Sequence, residues 1–248
     1  MDGALTTPAC GRAGKHLAGA SRTRGVLPPF KDLASEYDRW FDGDGHSVFL
    51  TELRALAEVS AHAPKPWLEI GVGSGRFAHA LGIEAGVDPS AKMVEMARTR
   101  GVNAFVGRGE QRLFDEESFG TVFLITTLCF LSSPRSVLKE ARRVLAPDGK
   151  IVLGLLLREG PWGQLYERKR ERGHRFYRYA SFYSFDEVSD LLAQAGFVME
   201  RVVSALFEPP GRSKHVEEPR EGYHSDAGFT VVLAGGQPVR RRRVREVM

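Results

Sequence analysis

Apolar and polar positions follow two rhythms along this chain, and the rhythm switches repeatedly between residues 67 and 157. Short apolar runs read as strands: WLEIG (67–71), IEAGVD (83–88), NAFVG (103–107), FGTVFLITTLCFL (119–131, a long buried strand with its exit) and KIVLGLLL (150–157). Between them lie amphipathic stretches that read as helices: GRFAHAL (75–81), SAKMVEMARTR (90–100) and SPRSVLKEARRVL (133–145), the last broken by the Pro147-Asp148-Gly149 turn. This alternation predicts an α/β, doubly wound fold, a parallel sheet with helices on both faces.

The flanks extend the same body. FKDLASEYDRWF (30–41) carries Leu33, Tyr37, Trp40 and Phe41 at helical spacing, and a second helix is expected over 46–61 after the Gly-Asp-Gly-His turn. Residues 160–183 change character and are dense in charge and aromatic rings. SFDEVSDLLAQAGF (184–197) then reads as a helix, with Ser184 and Glu187 forming a capping box and Gly196 as the stop. FVMERVVSALF (197–207) and FTVVLAG (229–235) predict two last strands, antiparallel to each other, around a polar loop at 208–226.

Composition bounds the class. A chain of 248 residues with 42% hydrophobic and 27% charged residues can bury a real core. No run approaches the roughly 18 apolar residues that cross a bilayer, and the N-terminus lacks the apolar core of a secretory signal. Two cysteines, Cys10 and Cys129, make no disulfide framework. A cytoplasmic protein that does not engage membrane is the expectation. The net charge of +4 conceals a division. Residues 1–29 carry about +3 and residues 238–248 about +4, which leaves the body near −3. Both basic segments are expected to be disordered tails around one domain at 30–237. The Arg-rich end, RRRRVREVM, keeps a nucleic-acid contact open.

Candidate chemistry concentrates at WLEIGVGSGRF (67–77). A dinucleotide fingerprint needs G-x-G-x-x-G, but Arg76 stands where its third glycine would fall, and the pattern is instead E-x-G-x-G-x-G. The Gly-Lys-Ser/Thr of a phosphate-cradling loop is absent. Neither CxxC nor HExxH occurs, so no metal site is expected.

LEIGVGSGRFA (68–78) resembles motif I of the class I S-adenosylmethionine-dependent methyltransferases. Three later landmarks agree in order and spacing. GVDPS (86–90) resembles the acidic end of the second strand. VGRGEQRLFDEESFG (106–120) is similar to the family's G-x-A-E-x-L-P-F … S-F-D stretch. PRSVLKEARRVLAPDGKIVLG (134–154) resembles its helix, turn and fifth strand. The likeness covers about residues 30–236 and is nearest to the type 11, small-molecule branch. Departures fall at Arg108, Gly109, Leu113, Gly120 and Asp148, which bear on the adenine edge rather than on the glycine loop or Asp88.

The segment at about 158–184, unusual for that family, is expected to form a small helical, aromatic cap at the carboxyl edge of the sheet, where ligands bind in open α/β folds. The resemblance implies a seven-stranded, mostly parallel sheet with an antiparallel last strand. It also implies S-adenosylmethionine as cofactor and methyl transfer to a small-molecule acceptor. Gly71, Gly73 and Gly75 would let the backbone approach the methionine part without a clashing Cβ. Glu69 would sit near its positive groups, and Asp88 would accept both ribose hydroxyls. Pro89 and Met93 would flank the adenine, Gly109 and Glu110 would face its edge, and Thr126 and Thr127 would lie beneath the transferred methyl. Tyr37, Trp40, Tyr166, Phe176 and Tyr177 are the expected acceptor pocket, since aromatic faces attract a sulfonium or amine. Methyl transfer needs a base only for a protonated acceptor, so the catalytic group is left open among His174, Tyr37 and Tyr166. Two alternatives stand beside this reading: an RNA methyltransferase that uses the basic tails, and a cofactor-binding regulatory protein without transfer activity.

Overall fold

The computed structural model describes residues 28–236. Both basic tails, with Cys10, lie outside the described residues, and so do the expectations of disorder and of a nucleic-acid contact attached to them. No helix among the described residues is long and apolar enough to cross a membrane.

Strands and helices alternate as the pattern predicts. Strands β1 (Trp67–Ile70), β2 (Ala85–Asp88), β3 (Asn103–Val106), β4 (Phe119–Ile125) and β5 (Leu145–Leu155) pair in parallel in the order β3-β2-β1-β4-β5. Strands β6 (Phe197–Ala205) and β8 (Phe229–Gly236) complete the main sheet, with β8 antiparallel to both β5 and β6.

The sheet has eight strands rather than seven. The extra one, β7 (Arg220–Glu221), is two residues of the polar loop paired to Val203 and Ser204. It is held by the Arg201–Glu221 ion pair at 2.8 Å and by a 2.9 Å bond from the Ser204 hydroxyl to the Gly222 carbonyl. Two polar residues carry no alternation, so no sequence pattern announces them. Strand β5 also starts five residues before the expected KIVLG run, because Ala146–Gly149 bulge out between Phe119↔Leu145 and Thr121↔Lys150.

Side-chain alternation along β4 divides the core. Val122 and Leu124 face helices α6 (Pro134–Val144) and α8 (Phe185–Gln194). Phe123 and Ile125 face α3 (His46–Ser60), α4 (Arg76–Leu81), α5 (Ala91–Thr99) and α7 (Pro161–Glu171). Helix α8 begins with the expected capping box between Ser184 and Glu187.

The segment expected as one helix over 30–41 is two: α1 (Pro28–Asp32) and α2 (Ala34–Trp40), parted at Leu33, which leaves helical geometry at φ −118° and ψ 19°. The break lets each piece dock separately. The Phe30 carbonyl accepts a 2.8 Å bond from the Ser90 hydroxyl at the start of α5. Asp38 on α2 is buried and accepts from Ser74, from Arg76 Nε at 2.7 Å and from Arg100 Nη2 at 2.7 Å. Burial alone would raise the Asp38 carboxyl, but its bonds from Arg76, Ser74 and Arg100 outweigh that and hold it below its ordinary value.

Removing this carboxylate takes the ion partner from Arg100 and leaves Arg76 paired to the exposed Asp42 alone. Asp38→Asn is expected to cost about 2–4 kcal/mol in urea unfolding at pH 7, as for a partly buried charge left unpaired. Because the folded-state value is depressed, the wild-type advantage should persist above about pH 4 and vanish as pH falls through the acid range. An advantage independent of pH would show that the carboxylate charge is not what holds α2.

Candidate functional site

The strand order reverses direction between β1 and β4, which leaves a crevice at the carboxyl ends of the central strands. The glycine loop turns out of β1 into this crevice. The amides of Gly71 and Val72 donate to the Val87 carbonyl at 2.8 and 3.1 Å and pin the loop to β2. Gly71 has φ +79°, and a Cβ there would run into the Thr127 side chain. Gly73 has φ +51°, with nothing within 4 Å of its missing Cβ, so its backbone stands open to the cavity.

Gly75 serves a different end. It has φ +81°, and a Cβ would lie 2.8 Å from the Ala97 Cα, so this glycine permits α4 to pack against α5 and does not line the cavity.

Two carboxyls stand at the strand tips. Asp88 ends β2 and accepts from the Gly73 amide at 3.1 Å and the Ser90 amide at 2.8 Å. Ser90, not Asp88, caps α5. Burial pushes the Asp88 carboxyl up to about 6, against the opposing pull of those two amides. Glu69 is buried on β1, behind the lining rather than in it, and its Oε2 has no partner among the described residues. Burial, then the nearby Asp88 charge, pushes Glu69 well above its ordinary value. Beyond β3, Gly109 and Glu110 line the cavity, with Glu110 paired to Arg108 Nε at 2.6 Å. Arg108 also reaches the Ser132 hydroxyl at 3.0 Å.

Beyond β4, Thr126 takes φ +48°, a strained left-handed turn for a β-branched residue, anchored by its amide on the Gly154 carbonyl at 2.8 Å. That turn brings Thr126 and Thr127 into the cavity wall. Phe30 and Tyr37 from the N-terminal helices cover it, joined by Phe130. Phe30 meets Tyr37 and Phe130 edge-on, with ring centroids 5.6 and 5.0 Å apart. Tyr179, Ser181 and Tyr183 from the segment after α7 close the far side. The cavity volume is about 490 Å³, within the usual range of small-ligand sites.

The structure therefore brings Gly71, Gly73, Asp88, Pro89, Met93, Gly109, Glu110, Thr126, Thr127 and Tyr37 around one cavity. It does not bring Trp40, Tyr166, Phe176, Tyr177 or His174 to that wall. Trp40 ends α2 on the outer side and is 37% exposed. Tyr166 is buried behind the wall, stacked on Tyr177 at 4.0 Å between ring centroids. Phe176 packs on the outer side of Phe30 and Tyr37, at 6.3 and 5.8 Å. His174 sits at the turn after α7, its ring 5.1 Å from that of Tyr177, and burial followed by the Lys169 charge lowers it. Phe30, Arg108, Phe130, Ser132, Tyr179, Ser181 and Tyr183 line the cavity without having been expected. Of these, Phe130 had a legible signal, being the next aromatic after the Thr126-Thr127 exit. Among the described residues, no group of three or more His, Cys, Asp or Glu is placed to hold a metal ion.

Comparison with known proteins agrees with this geometry. A family described as a methyltransferase domain matches residues 68–153. An uncharacterised protein of Mycobacterium tuberculosis is 39% identical over 206 residues, covering 82% of this chain and 72% of its own length. An uncharacterised protein of Methanocaldococcus jannaschii is 36% identical over 206 residues, covering 83% and 97%. A solved structure from Thermotoga maritima, an S-adenosylmethionine-dependent methyltransferase and possible histamine N-methyltransferase, superposes with a TM-score of 0.79 at 38% identity. It covers 86% of this chain and 100% of that one.

The two lining glycines of the loop after β1 should respond differently to a methyl group. Gly71→Ala combines a left-handed backbone with a collision at Thr127 and is expected to cost about 2–4 kcal/mol in urea unfolding. Gly73→Ala bears only the backbone term, about 1–2 kcal/mol. Equal losses would mean that the Thr127 contact yields freely.

Proposed function

The chain belongs to the S-adenosylmethionine-dependent methyltransferases, and we propose that it methylates a small-molecule acceptor held beneath Tyr37 and Phe30. The observation that carries this reading is the size of the cavity. Between Phe30 and Tyr37 of the N-terminal helices and Tyr179, Ser181 and Tyr183 after α7 it measures about 490 Å³, the scale of a small-ligand site. The Thermotoga relative, whose name concerns a small amine, supports the same scale of acceptor.

The residues present fit the cofactor. Behind the lining, Glu69 keeps a carboxyl oxygen without a partner among the described residues, next to Asp88, an arrangement that a nearby positive charge relieves. Gly73 offers bare backbone to the cavity. Asp88 keeps lone pairs beyond its two amide bonds for a ribose diol. Met93 and Pro89 offer an apolar slot, and Gly109 and Glu110 an edge with hydrogen-bonding groups. When bound, the cofactor supplies a methyl group on a cationic sulfur.

Under this reading the chain's own part is to bind, align and dry the site. Tyr37, Phe30 and Phe130 exclude water and offer ring faces to positive charge. Thr126 and Thr127 fix the cavity wall through the Gly154 and Gly71 backbones. A cytoplasmic setting belongs to the same proposal, supported by the buried free thiol of Cys129.

Calorimetric titration tests the cofactor site. Asp88→Asn is expected to weaken adenosylmethionine binding at least ~10-fold, the scale of one lost charge-assisted bond. Since Asp88 protonates at about 6, wild-type affinity should fall as pH drops from 7.5 to 5, and the variant should show no such fall. Unchanged affinity in the variant would remove Asp88 from the site.

A further inference from the structure

Helix α6 turns Val137, Leu138, Ala141 and Val144 into the core. Its opposite face carries Arg135, Lys139 and Arg142, spaced four and three residues apart, so the three form one stripe about 10 Å long. Arg135 and Lys139 are exposed and Arg142 is half-buried. Among the described residues none of these three side chains has a hydrogen bond or an ion pair. Arg135 stands in the first turn, where a cation opposes the helix dipole, so helix stability does not account for it. The acids beside the stripe are already matched. Lys139 and Arg142 line a groove between α6 and the loop after β3, whose two carboxylates are Glu140, paired with Arg143 at 2.5 Å, and Glu110, paired with Arg108 at 2.6 Å.

Strand β8 delivers the end of the chain to the same face. A Cβ on Gly236 would lie 2.5 Å from Arg142 Nη2, so the chain leaves β8 against that guanidinium. Glu200, which a Cβ on the preceding Gly235 would meet, is matched by Lys150 at 2.6 Å. Arg240 follows Gly236 by four residues, a reach of about 14 Å at full extension. It opens the run Arg240–Arg243 and Arg245, with Glu246 after it. The other dense basic segment, α7 and its turn, is largely committed elsewhere. Lys169 lies over the Tyr166 and Tyr177 rings, Arg170 pairs with Glu167 at 3.6 Å, Arg175 pairs with Glu36, and Arg178 donates to the Tyr179 hydroxyl at 2.6 Å.

We propose that the α6 stripe and the arginine run that follows Gly236 bind the phosphodiester backbone of a nucleic acid, without reading its sequence. None of the three stripe residues lines the methyl-transfer cavity, and the proposal does not depend on the methyltransferase reading. A row of unmatched cations meets a row of phosphates, and each phosphate neutralised releases counterions, which drives such binding. The outward positions of α6 are Arg135, Ser136, Lys139, Glu140, Arg142 and Arg143. They offer no ring on which a base could stack, which favours backbone contact over base recognition. They offer no apolar side chain to enter a bilayer, which favours a nucleic acid over a membrane surface.

Fluorescence anisotropy on the full chain reads this, with a labelled oligouridylate of about 20 nucleotides and KCl varied from about 50 to 200 mM. Three cations on α6 and five in the arginine run predict a slope of log affinity on log salt near about −5, a loss of roughly 10³-fold across that range. Arg135→Ala/Lys139→Ala/Arg142→Ala should make the slope shallower by about 2, and truncation after Gln237 by about 3. Lys139→Ala alone, a mild change on a helix surface, should remove about 0.7, which keeps the test decisive if urea unfolding shows the triple variant destabilised. Arg135→Lys/Arg142→Lys keeps the charges and should keep the slope. Arg168→Ala/Arg170→Ala/Arg172→Ala on α7 changes the net charge equally and should move the slope by less than about 0.5. Absence of RNA binding, a slope that the α6 variants or the truncation leave unchanged, or an equal loss in the α7 variant would overturn the proposal. So would tighter binding to phosphatidylserine vesicles or to polyglutamate than to the RNA. Failure to bind adenosylmethionine would overturn the cofactor reading and leave this one standing.

Discussion

The Asp38 carboxylate is the constraint on which the site depends. It receives the Ser74 hydroxyl from the glycine loop, Arg76 from the first turn of α4 and Arg100 from the end of α5. Arg100 in turn donates to the Ser74 carbonyl at 2.7 Å. One buried group thus fixes the loop, the two helices behind it and the segment that covers it. Tyr37 is the preceding residue in the chain, so its position over the cavity follows from the position of Asp38. The Arg175–Glu36 pair joins the same helix to the segment after α7, but it lies on the surface and contributes little by comparison.

Against that satisfied carboxylate stand two that are not. Asp88 has two amide donors yet is still raised by burial, and Glu69 has an oxygen with no partner among the described residues. Buried acids in this condition are destabilising unless something of opposite charge arrives. Both flank the glycine loop, Asp88 in the cavity wall and Glu69 behind it. That end of the cavity is suited to a positively charged ligand, with Phe30, Tyr37 and Phe130 as an apolar cover.

The sheet and the glycine loop were legible because short-range spacing determines them. Gly71, Gly73, Asp88, Pro89 and Met93 follow strand ends directly, and a strand end in this topology faces the crevice. The coverings were less legible. The split at Leu33 resets the helical phase, so Tyr37 turns inward while Trp40, three residues on, faces outward. In α7 and the segment after it, aromatic density pointed to Tyr166 and Tyr177, which stack on each other, whereas the wall is made by Tyr179 and Tyr183. Asp38 meets Arg76 and Arg100 across 38 and 62 residues, a separation no local pattern encodes.

Hydrogen–deuterium exchange with and without adenosylhomocysteine tests the central claim most directly, because it reads the glycine loop and its cover together. The account predicts that saturating ligand slows exchange in residues 71–75, in 30–41 and in 177–183 at once, since these segments enclose one cavity and Asp38 couples the first two. Protection confined to the glycine loop, with the N-terminal helices unchanged, would contradict it and separate the cover from the site.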